Sequence, residues 1–370
     1  KSGGDGVPQD PHSAASLRPH FGQKANSAAA SKPQPAQTTL MASTLSWPLW
    51  SVNALAPVPS GALTGRHAAW YRWAGEPPVN DLLIRDGHVI DGTGSPGRDL
   101  DVVVDGGRIA ALEPRSTRAA RRVIDARGLV VAPGFIDIHT HSDFTLPLNP
   151  RAESKIRQGV TTEVTGNCGY SVAPALPGRA GLLGEYLASS APWLPFRDTS
   201  FADYVAGFPA TSVNVVFQVG HNTLRLMTAG MDARPVRADE LASMERLLEE
   251  GLEAGAWGLS SGLFTAPGCH ADAAEIHALA RVLRRHGARY SSHVRNEAAE
   301  VFEAVREAIA VAETTGVHVQ IAHLKLSGVD NWGGAERLLG EIEAARRRGV
   351  PVDCDAYPYE AATNPLRNLL

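Results

Sequence analysis

The sequence contains little cysteine and no long apolar run. Cys168, Cys269 and Cys354 are its three cysteines, an odd number scattered along 370 residues, so we expect no disulfide framework and a reducing, cytoplasmic location. No stretch reaches the roughly 18 apolar residues of a membrane-spanning helix. Prolines interrupt the apolar segment 41–62, which is only weakly typical of a secretory signal. The sequence therefore predicts neither a disulfide-rich scaffold nor a membrane protein.

Basic residues do not form a long run, and the formal net charge is -4. A nucleic-acid partner and an electrostatic attraction to membranes are therefore not expected. Hydrophobic residues make up 44% of the chain and charged residues 20%, which is ample for a sizeable core. A single α/β barrel commonly has this length.

Residues 1–79 are rich in Ser, Ala, Pro, Gly and Gln and show no sustained period. Such a composition buries too little apolar surface to offset the entropy of ordering the chain. We expect this segment to be a disordered or extraneous extension. The alternative is a docking patch formed by its four tryptophans, Trp47, Trp50, Trp70 and Trp73.

A small β module is predicted for residues 80–128. Residues 81–91 indicate a strand, a turn at Asp86-Gly87 and a second strand, and residues 101–110 repeat the pattern. Short apolar runs on both sides of an Asp-Gly pair are typical of β-hairpins. We expect a β-sandwich module on the N-terminal side of the main domain.

Apolar strands alternate with helical patterns over residues 129–370. Helices are indicated where apolar residues recur on one face and a glycine follows, in segments 239–254, 297–312 and 335–345. Such repeated units are typical of a parallel sheet flanked by helices. We predict an α/β fold, a TIM-like (β/α)8 barrel that is C-terminally truncated by one strand. Its seven strands are predicted at Val130–Ile138, Thr161–Thr165, Asn214–Val219, Ala256–Ser260, Tyr290–His293, Val317–Ala322 and Val350–Asp355.

Histidines stand where predicted strands end, at the edge where such barrels carry their functional groups. His139 and His141 close the first strand, and the alternation of a strand places both on one face, within reach of one ion. His293 and His323 end two later strands. Four of the 13 histidines thus lie at the ends of three strands, which indicates a metal site.

Cys168 follows the second barrel strand in the sequence Gly-Asn-Cys-Gly. A thiolate here is a soft ligand that suits zinc, whereas an isolated cysteine is more often a small buried apolar residue. His221 also follows a strand, and its role stays open between lining the site and a structural one. The chain has five lysines, none of them near the fourth strand at residues 256–260.

This pattern resembles the amidohydrolase superfamily, which has His-x-His on strand 1 and single histidines on strands 5 and 6. Many members use a carbamylated lysine on strand 4, which this chain lacks. In that respect the chain is similar to the N-acyl-D-amino-acid deacylase (D-aminoacylase) family, which uses the cysteine of Gly-Asn-Cys-Gly. Further stretches resemble the same family: Gly258-Leu-Ser-Ser-Gly-Leu, Ser292-His-Val-Arg-Asn-Glu297, His323-Leu-Lys325 and Asp355-Ala-Tyr-Pro-Tyr359.

The resemblance implies a zinc-dependent amidohydrolase that cleaves the linear amide bond of N-acyl-D-amino acids. It implies one tightly bound zinc ion and a second, weaker metal position. The ligands of the tight ion would be Cys168, His293 and His323, and those facing the weaker position would be His139 and His141.

The resemblance also implies three substrate-binding residues. Lys325 would hold the substrate carboxylate with its compact ammonium group. Arg295 would share that grip in a bidentate manner, and Tyr357 would lie in the same pocket. The simpler interpretations are a solvated lysine, a surface arginine and a buried tyrosine.

The sequence departs from the family in three respects, the first being that the C-terminal strands that normally complete the β module are absent. The acid/base of the family is an Asp on strand 8, beyond Leu370, so the catalytic residue is unknown and we expect the 370-residue fragment alone to be unstable and inactive. Asp353 and Asp355 both lie near a strand end and could replace the strand 8 Asp, but the family carries an equivalent of Asp355 and still uses the later Asp. Thr265 stands where the family usually has a tyrosine, which leaves the acyl and side-chain preference open.

Two other functions stay open. A cyclic-amide hydrolase resembling hydantoinases or dihydroorotases shares His-x-His but requires the lysine on strand 4. A non-catalytic scaffold with the amidohydrolase fold agrees with the absent Asp but not with five candidate ligands. Zinc content distinguishes them, because a scaffold need bind none and a deacylase requires at least one tight ion.

Overall fold

The computed structural model describes residues 79–359 and residue 361. Apart from Val79, the extension predicted for residues 1–79 lies outside the described residues, and so do its four tryptophans. Two β-sheets and eight α-helices make up the described part of the chain. No helix in that part is long and apolar enough to cross a membrane.

Residues 80–131 form a mixed sheet of five strands. They are β1 (Asn80–Val89), β2 (Arg98–Asp105), β3 (Arg108–Glu113), β4 (Ala120–Asp125) and β5 (Val130–Val131). Their order is β3-β2-β1-β4, and β5 also pairs with β1. β2 and β3 form the hairpin predicted within residues 101–110. The turn predicted at Asp86-Gly87 is wrong: β1 continues through it with a bulge, because Asp86 takes a φ of 58° and the ladder with β2 resumes at Gly87.

Seven parallel strands form the second sheet and follow one another in the order of the sequence. They are β6 (Phe135–Asp137), β7 (Val160–Thr165), β8 (Asn214–Gly220), β9 (Gly258–Gly262), β10 (Arg289–His293), β11 (His318–Ile321) and β12 (Val352–Cys354). All neighbouring pairs are parallel. This sheet confirms the seven strands predicted for a (β/α)8-type barrel, and the carboxyl ends of its strands share one edge.

The first barrel strand is shorter than predicted. The single strand predicted over Val130–Ile138 is divided, because β5 pairs with β1 of the first sheet whereas β6 pairs with β7. Pro133 lies between the two pieces and has no backbone N–H to donate to a ladder. Gly134 is required there, since a Cβ would lie 2.1 Å from Thr161 Oγ1. One apolar run therefore contributes a strand to each of the two sheets.

Helices alternate with the strands of the second sheet. They are α1 (Glu153–Ile156), α2 (Ala180–Leu187), α3 (Phe201–Ala206), α4 (His221–Thr228), α5 (Ala238–Glu253), α6 (Ala273–His286), α7 (Val301–Thr315) and α8 (Ala335–Arg347). The three helices predicted from apolar periodicity are α5, α7 and α8. Gly316 ends α7 with a φ of 70°, a left-handed conformation in which a side chain would be strained.

The main hydrophobic core joins the second sheet to helices α5–α8. Leu248 of α5, Leu283 of α6, Val305 of α7 and Val319 of β11 are all fully buried in it. Burial of such a side chain contributes about 1.5–3 kcal/mol. This packing fixes the strands, and with them the side chains at their carboxyl ends.

Candidate metal centre

Five side chains of the metal-binding type meet at the carboxyl edge of the second sheet. His139 and His141 follow β6, Cys168 follows β7, His293 ends β10 and His323 follows β11. They form two groups, one of His139, His141 and Cys168 and the other of Cys168, His293 and His323. Within each group the candidate ligand atoms all lie within 4.8 Å of one another. The structure thus brings together all five predicted ligands, and the two groups share Cys168.

The thiol of Cys168 lies among the imidazole rings. Its Sγ atom is 3.3 Å from His139 Nε2 and 3.4 Å from His323 Nε2. The His323 ring centroid is 4.3 Å from that of His293. Burial raises the pKa of the Cys168 thiol, but hydrogen bonds from the histidines outweigh burial and hold that pKa well below its usual value. The site therefore favours the thiolate, which is the form that binds metal ions.

The backbone around Cys168 is held in an uncommon conformation. Cys168 has a φ of 54°, a region that non-glycine residues rarely adopt. Asn167 supports the turn, since its side-chain amide donates to the Thr140 carbonyl oxygen at 3.2 Å. Gly169 has a φ of 79°, and a Cβ there would lie 2.2 Å from Asn222 Oδ1. The geometry thus explains the sequence Gly-Asn-Cys-Gly. The turn exposes the Cys168 thiol to the histidines, and the lack of a side chain at Gly169 leaves room for Asn222.

Residues 122–367 match the sequence profile of the amidohydrolase family. This chain belongs to that family. All five candidate ligands lie within the matched residues.

Curated relatives from Alcaligenes xylosoxydans xylosoxydans show which amidohydrolases this chain is similar to. An N-acyl-D-glutamate deacylase is 42% identical over 292 residues, which are 77% of this chain. A D-aminoacylase is 41% identical over 293 residues, which are 78% of this chain. This chain spans only 58% and 59% of the lengths of these two relatives.

Solved structures of the same kind share the fold. A D-aminoacylase crystal structure matches with a TM-score of 0.69 at 41% identity, over 76% of this chain and 59% of that one. An N-acyl-D-glutamate deacylase from Bordetella bronchiseptica, complexed with zinc and a phosphonate inhibitor, matches with a TM-score of 0.69 at 40% identity, over the same shares of the two chains. These similarities confirm the predicted resemblance to the D-aminoacylases.

In this amidohydrolase, Asp355 supports two of the candidate ligands. Its Oδ1 atom lies 3.7 Å from His139 Nδ1 and accepts a hydrogen bond of 2.6 Å from the backbone N–H of His323. Burial alone lowers the pKa of His139, but the Asp355 and Cys168 side chains outweigh it and raise that pKa to about 10. Asp355 therefore contacts the ring of His139 and the backbone N–H of His323.

Glu297 also lies at this site, although it was not among the predicted site residues. Its Oε1 atom lies 3.0 Å from His323 Nδ1 and 3.5 Å from His293 Nε2, and it contacts Lys325 Nζ. Burial raises the pKa of Glu297, but the neighbouring positive groups outweigh burial and lower it to about 2. Its spacing of four residues from His293 is the signal in the sequence that points to it.

The predicted substrate-binding residues differ in their surroundings. Lys325 Nζ lies 2.9 Å from His323 Nδ1 and 5.4 Å from the centre of the Tyr357 ring, so both residues adjoin the ligands. Arg295 instead binds the carboxylate of Glu307 with two hydrogen bonds of 2.8 and 3.0 Å and donates to two backbone carbonyl oxygens. Its guanidinium is thus engaged within the protein, and its substrate contact stays a prediction.

His221 has a partner away from the ligands. It begins α4, is fully buried, and its Nε2 atom lies 2.7 Å from Glu275 Oε1. The same carboxylate pairs with the buried Arg225. Of the two roles left open for His221, the structure favours the structural one.

Tyr170 lies against Thr265, the residue that replaces the usual tyrosine of the family. The Tyr170 hydroxyl is 3.1 Å from Thr265 Oγ1, and its ring centroid is 6.0 Å from that of His141. A phenol hydroxyl is therefore present near the ligands although position 265 carries threonine. Tyr170, which follows Cys168 by two residues, was not among the predicted site residues.

Proposed function

We propose that this protein is a zinc-dependent deacylase that hydrolyses N-acyl-D-amino acids to a carboxylate and a free D-amino acid. The observation that carries the proposal is the meeting of Cys168 with four histidines in two groups that share its thiol. The zinc and the phosphonate inhibitor of the solved N-acyl-D-glutamate deacylase, described as a mimic of the tetrahedral intermediate, support it. This chain covers only 58–59% of the lengths of these two relatives. We therefore propose the activity for the whole protein as its gene encodes it.

The donor set fits zinc. A thiolate and imidazole nitrogens are preferred zinc ligands. Within the described residues, His141 Nδ1 is buried and has no hydrogen-bond partner, and His293 Nε2, which has none either, faces the Glu297 carboxylate at 3.5 Å. Such nitrogen atoms cost free energy unless they are bound. Cys168, His293 and His323 would hold one ion, and His139 and His141 would face a second position.

Zinc bound by such donors supplies a nucleophilic water at neutral pH and polarises a carbonyl oxygen. The side chains of this chain position the substrate. Lys325 would bind its carboxylate, and because Nζ lies 2.9 Å from His323 Nδ1, an anchored substrate presents its amide beside the ligands. Tyr357 would form one wall of this subsite. Glu297, which contacts Lys325 Nζ, would pair with the lysine until the substrate carboxylate takes its place.

Hydrolysis of N-acetyl-D-methionine, N-acetyl-D-glutamate and N-acetyl-D-aspartate tests the proposal, with the L enantiomers as controls. The zinc-loaded polypeptide is expected to release the D-amino acid from at least one of them and little from the L forms. Cys168→Ala is expected to lose zinc and activity together. A preparation with one tight zinc ion per chain that hydrolyses none of the three D substrates overturns the proposal.

Two further expectations remain predictions, and two alternative functions can be tested beside them. The same assay on the 370-residue chain alone tests whether that chain is inactive. Cell fractionation tests the cytoplasmic location. A folded protein that binds no zinc would favour the non-catalytic scaffold, and turnover of dihydropyrimidine rings would favour the cyclic-amide hydrolase.

A further inference from the structure

Arg295 connects a segment beside the metal centre to a helix of the main core. It lies in the loop between β10 and α7. Its guanidinium donates two hydrogen bonds, of 2.8 and 3.0 Å, to the Glu307 carboxylate on α7. It also donates to the carbonyl oxygens of Cys269 and Ala271, at 2.9 and 3.0 Å. Both carbonyl groups belong to residues 263–272, the β9–α6 segment. Arg295 therefore ties this segment to α7.

These contacts leave Arg295 little capacity to bind a ligand. A guanidinium has five N–H donors, and the four hydrogen bonds engage four of them. A bidentate grip on a carboxylate requires two parallel donors. The predicted contact with the substrate would therefore break bonds that Arg295 already forms with Glu307 or with the β9–α6 segment. This geometry favours a role within the protein.

The β9–α6 segment contacts one of the candidate metal ligands. The ring of Phe264 stacks on the ring of His293, with centroids 5.7 Å apart and an angle of 14° between the ring planes. The Leu263 N–H donates to the His293 carbonyl oxygen at 3.1 Å. The His293 ring also meets the His323 ring, at 4.3 Å and an angle of 85°. The position of Phe264 thus limits how the His293 ring can turn.

The connection from Arg295 to Phe264 runs through Cys269. The Cys269 carbonyl oxygen accepts from Arg295, and the Cys269 N–H donates to the Thr265 carbonyl oxygen at 2.9 Å. Thr265 directly follows Phe264. Asn222 also donates to the Thr265 carbonyl oxygen, but at 3.4 Å, which is longer than an ordinary N–H···O bond. The backbone beside Phe264 therefore depends chiefly on Cys269, which Arg295 holds in place.

We propose that Arg295 is a positioning residue for the metal centre and does not bind the substrate. Through Cys269 it fixes the backbone that carries Phe264, and Phe264 fixes the ring of His293. Glu307 belongs to the same link, because its carboxylate orients the guanidinium. The expected effects on kinetics rest on the proposed deacylase function, whereas hydrogen exchange and metal affinity test the link without it.

Replacement of each partner in the whole protein tests the link. Arg295→Met and Glu307→Gln are both expected to speed hydrogen exchange of the backbone amides in residues 268–272 of the metal-free protein about tenfold. Both are expected to weaken zinc binding about tenfold, the lower end for a lost supporting group. Both are also expected to shift the visible absorption bands of the cobalt-substituted protein, which report on ligand geometry. The double variant is expected to bind zinc no more weakly than Arg295→Met, because the two residues act through one link.

A substrate-binding Arg295 leads to different results. Arg295→Met would then raise KM at an unchanged zinc affinity, and Glu307→Gln would free the guanidinium and lower KM. Either result overturns the proposal, as does hydrogen exchange of residues 268–272 that neither substitution changes. A protein that binds zinc tightly but hydrolyses none of the three D substrates overturns the deacylase function alone. Hydrogen exchange and zinc affinity still decide the role of Arg295 in that case.

An exposed ion pair supplies the matched controls. Arg246 and Glu250 pair at 2.7 Å on the outer face of α5. Arg246→Met and Glu250→Gln are therefore expected to leave hydrogen exchange of the β9–α6 segment, zinc affinity and the cobalt bands unchanged. Thermal unfolding confirms that each variant folds. Glu307→Gln is the milder of the two test substitutions and decides the matter if Arg295→Met does not fold.

Discussion

Replacement of Glu297 by glutamine separates two effects of its carboxylate. Glu297 Oε1 lies 3.0 Å from His323 Nδ1 and contacts Lys325 Nζ. Glutamine keeps the shape and one acceptor oxygen but removes the charge. Loss of a group that supports a metal-ligating histidine typically weakens metal binding about 10–100-fold. Because the amide oxygen can still accept from Nδ1–H, we expect the lower value, about tenfold or ~1.4 kcal/mol.

The same substitution is expected to increase the affinity for the substrate, although it decreases the affinity for zinc. Without the carboxylate, the ammonium of Lys325 is no longer paired and is free to bind the carboxylate of an N-acyl-D-amino acid. We therefore expect KM to fall while the affinity for zinc also falls. A residue that merely stabilised the loop would weaken both kinds of binding together.

Competition with a fluorescent zinc chelator measures the affinity, and steady-state kinetics on the zinc-saturated protein give KM. Glu303→Gln is the matched control, because Glu303 is exposed on α7 and pairs only with Arg306 in the described part of the chain. Thermal unfolding confirms that each variant folds. Zinc affinity of Glu297→Gln within about twofold of the unmodified protein, well short of the usual loss, or a higher KM would refute the reasoning.

Three further substitutions test other parts of the structure. Cys168→Ala is expected to abolish tight zinc binding because both ligand groups share its thiol, whereas Cys269→Ala keeps it, as zinc content after gel filtration will show. Lys325→Met is expected to raise KM about 10–100-fold with a smaller effect on kcat, because a hydrogen bond to a charged group contributes ~1.5–3 kcal/mol. Glu240→Gln is expected to lower the free energy of unfolding by about 1 kcal/mol at pH 7 in urea titrations, because Glu240 accepts a capping hydrogen bond of 2.8 Å from the Arg237 N–H.

The effect of Glu240 depends on pH. Two hydrogen bonds of 2.8 Å from Arg234 lead the contributions that lower the pKa of Glu240 from 4.5 to about 2. Its contribution is therefore complete above pH 4.5 and is lost as the pH falls from 4.5 towards 2. A stability difference from Glu240→Gln that stays constant over this range contradicts the assignment. Tight zinc retained in Cys168→Ala, or a Lys325→Met variant altered in kcat alone, contradicts the other two predictions.

Apolar runs correctly predicted those strands whose whole run pairs within a single sheet. β7–β12 lie where such runs end at a polar residue, and β8–β12 all contribute to the same core. Val130 and Val131 have the same β-branched character, yet they pair with the first sheet. A periodic pattern indicates an extended segment but not its partner. The partner is decided by Pro133, which lacks a donor, and by the lack of space for a side chain at Gly134.

The ligands could be predicted because metal binding demands particular side chains at particular strand ends. Their supporting groups were not predicted, because a glutamate four residues after a histidine, as Glu297 is after His293, is not by itself specific to a metal site. Its role appears only when the fold brings residues of β10 and β11 together.

Backbone strain supplies an indication of the site that no residue type reveals. Five non-glycine residues in the described part of the chain have a positive φ, and two of them are the candidate ligands Cys168 and His323, at 54° and 35°. Each such residue costs about 1–3 kcal/mol and persists only where its surroundings enforce it. Here Asn167 holds the first turn and the Asp355 carboxylate accepts from the His323 N–H at 2.6 Å. The two strained residues bring Cys168 Sγ and His323 Nε2 to 3.4 Å of each other. The unfavourable backbone conformations therefore occur where two candidate ligands must lie close together.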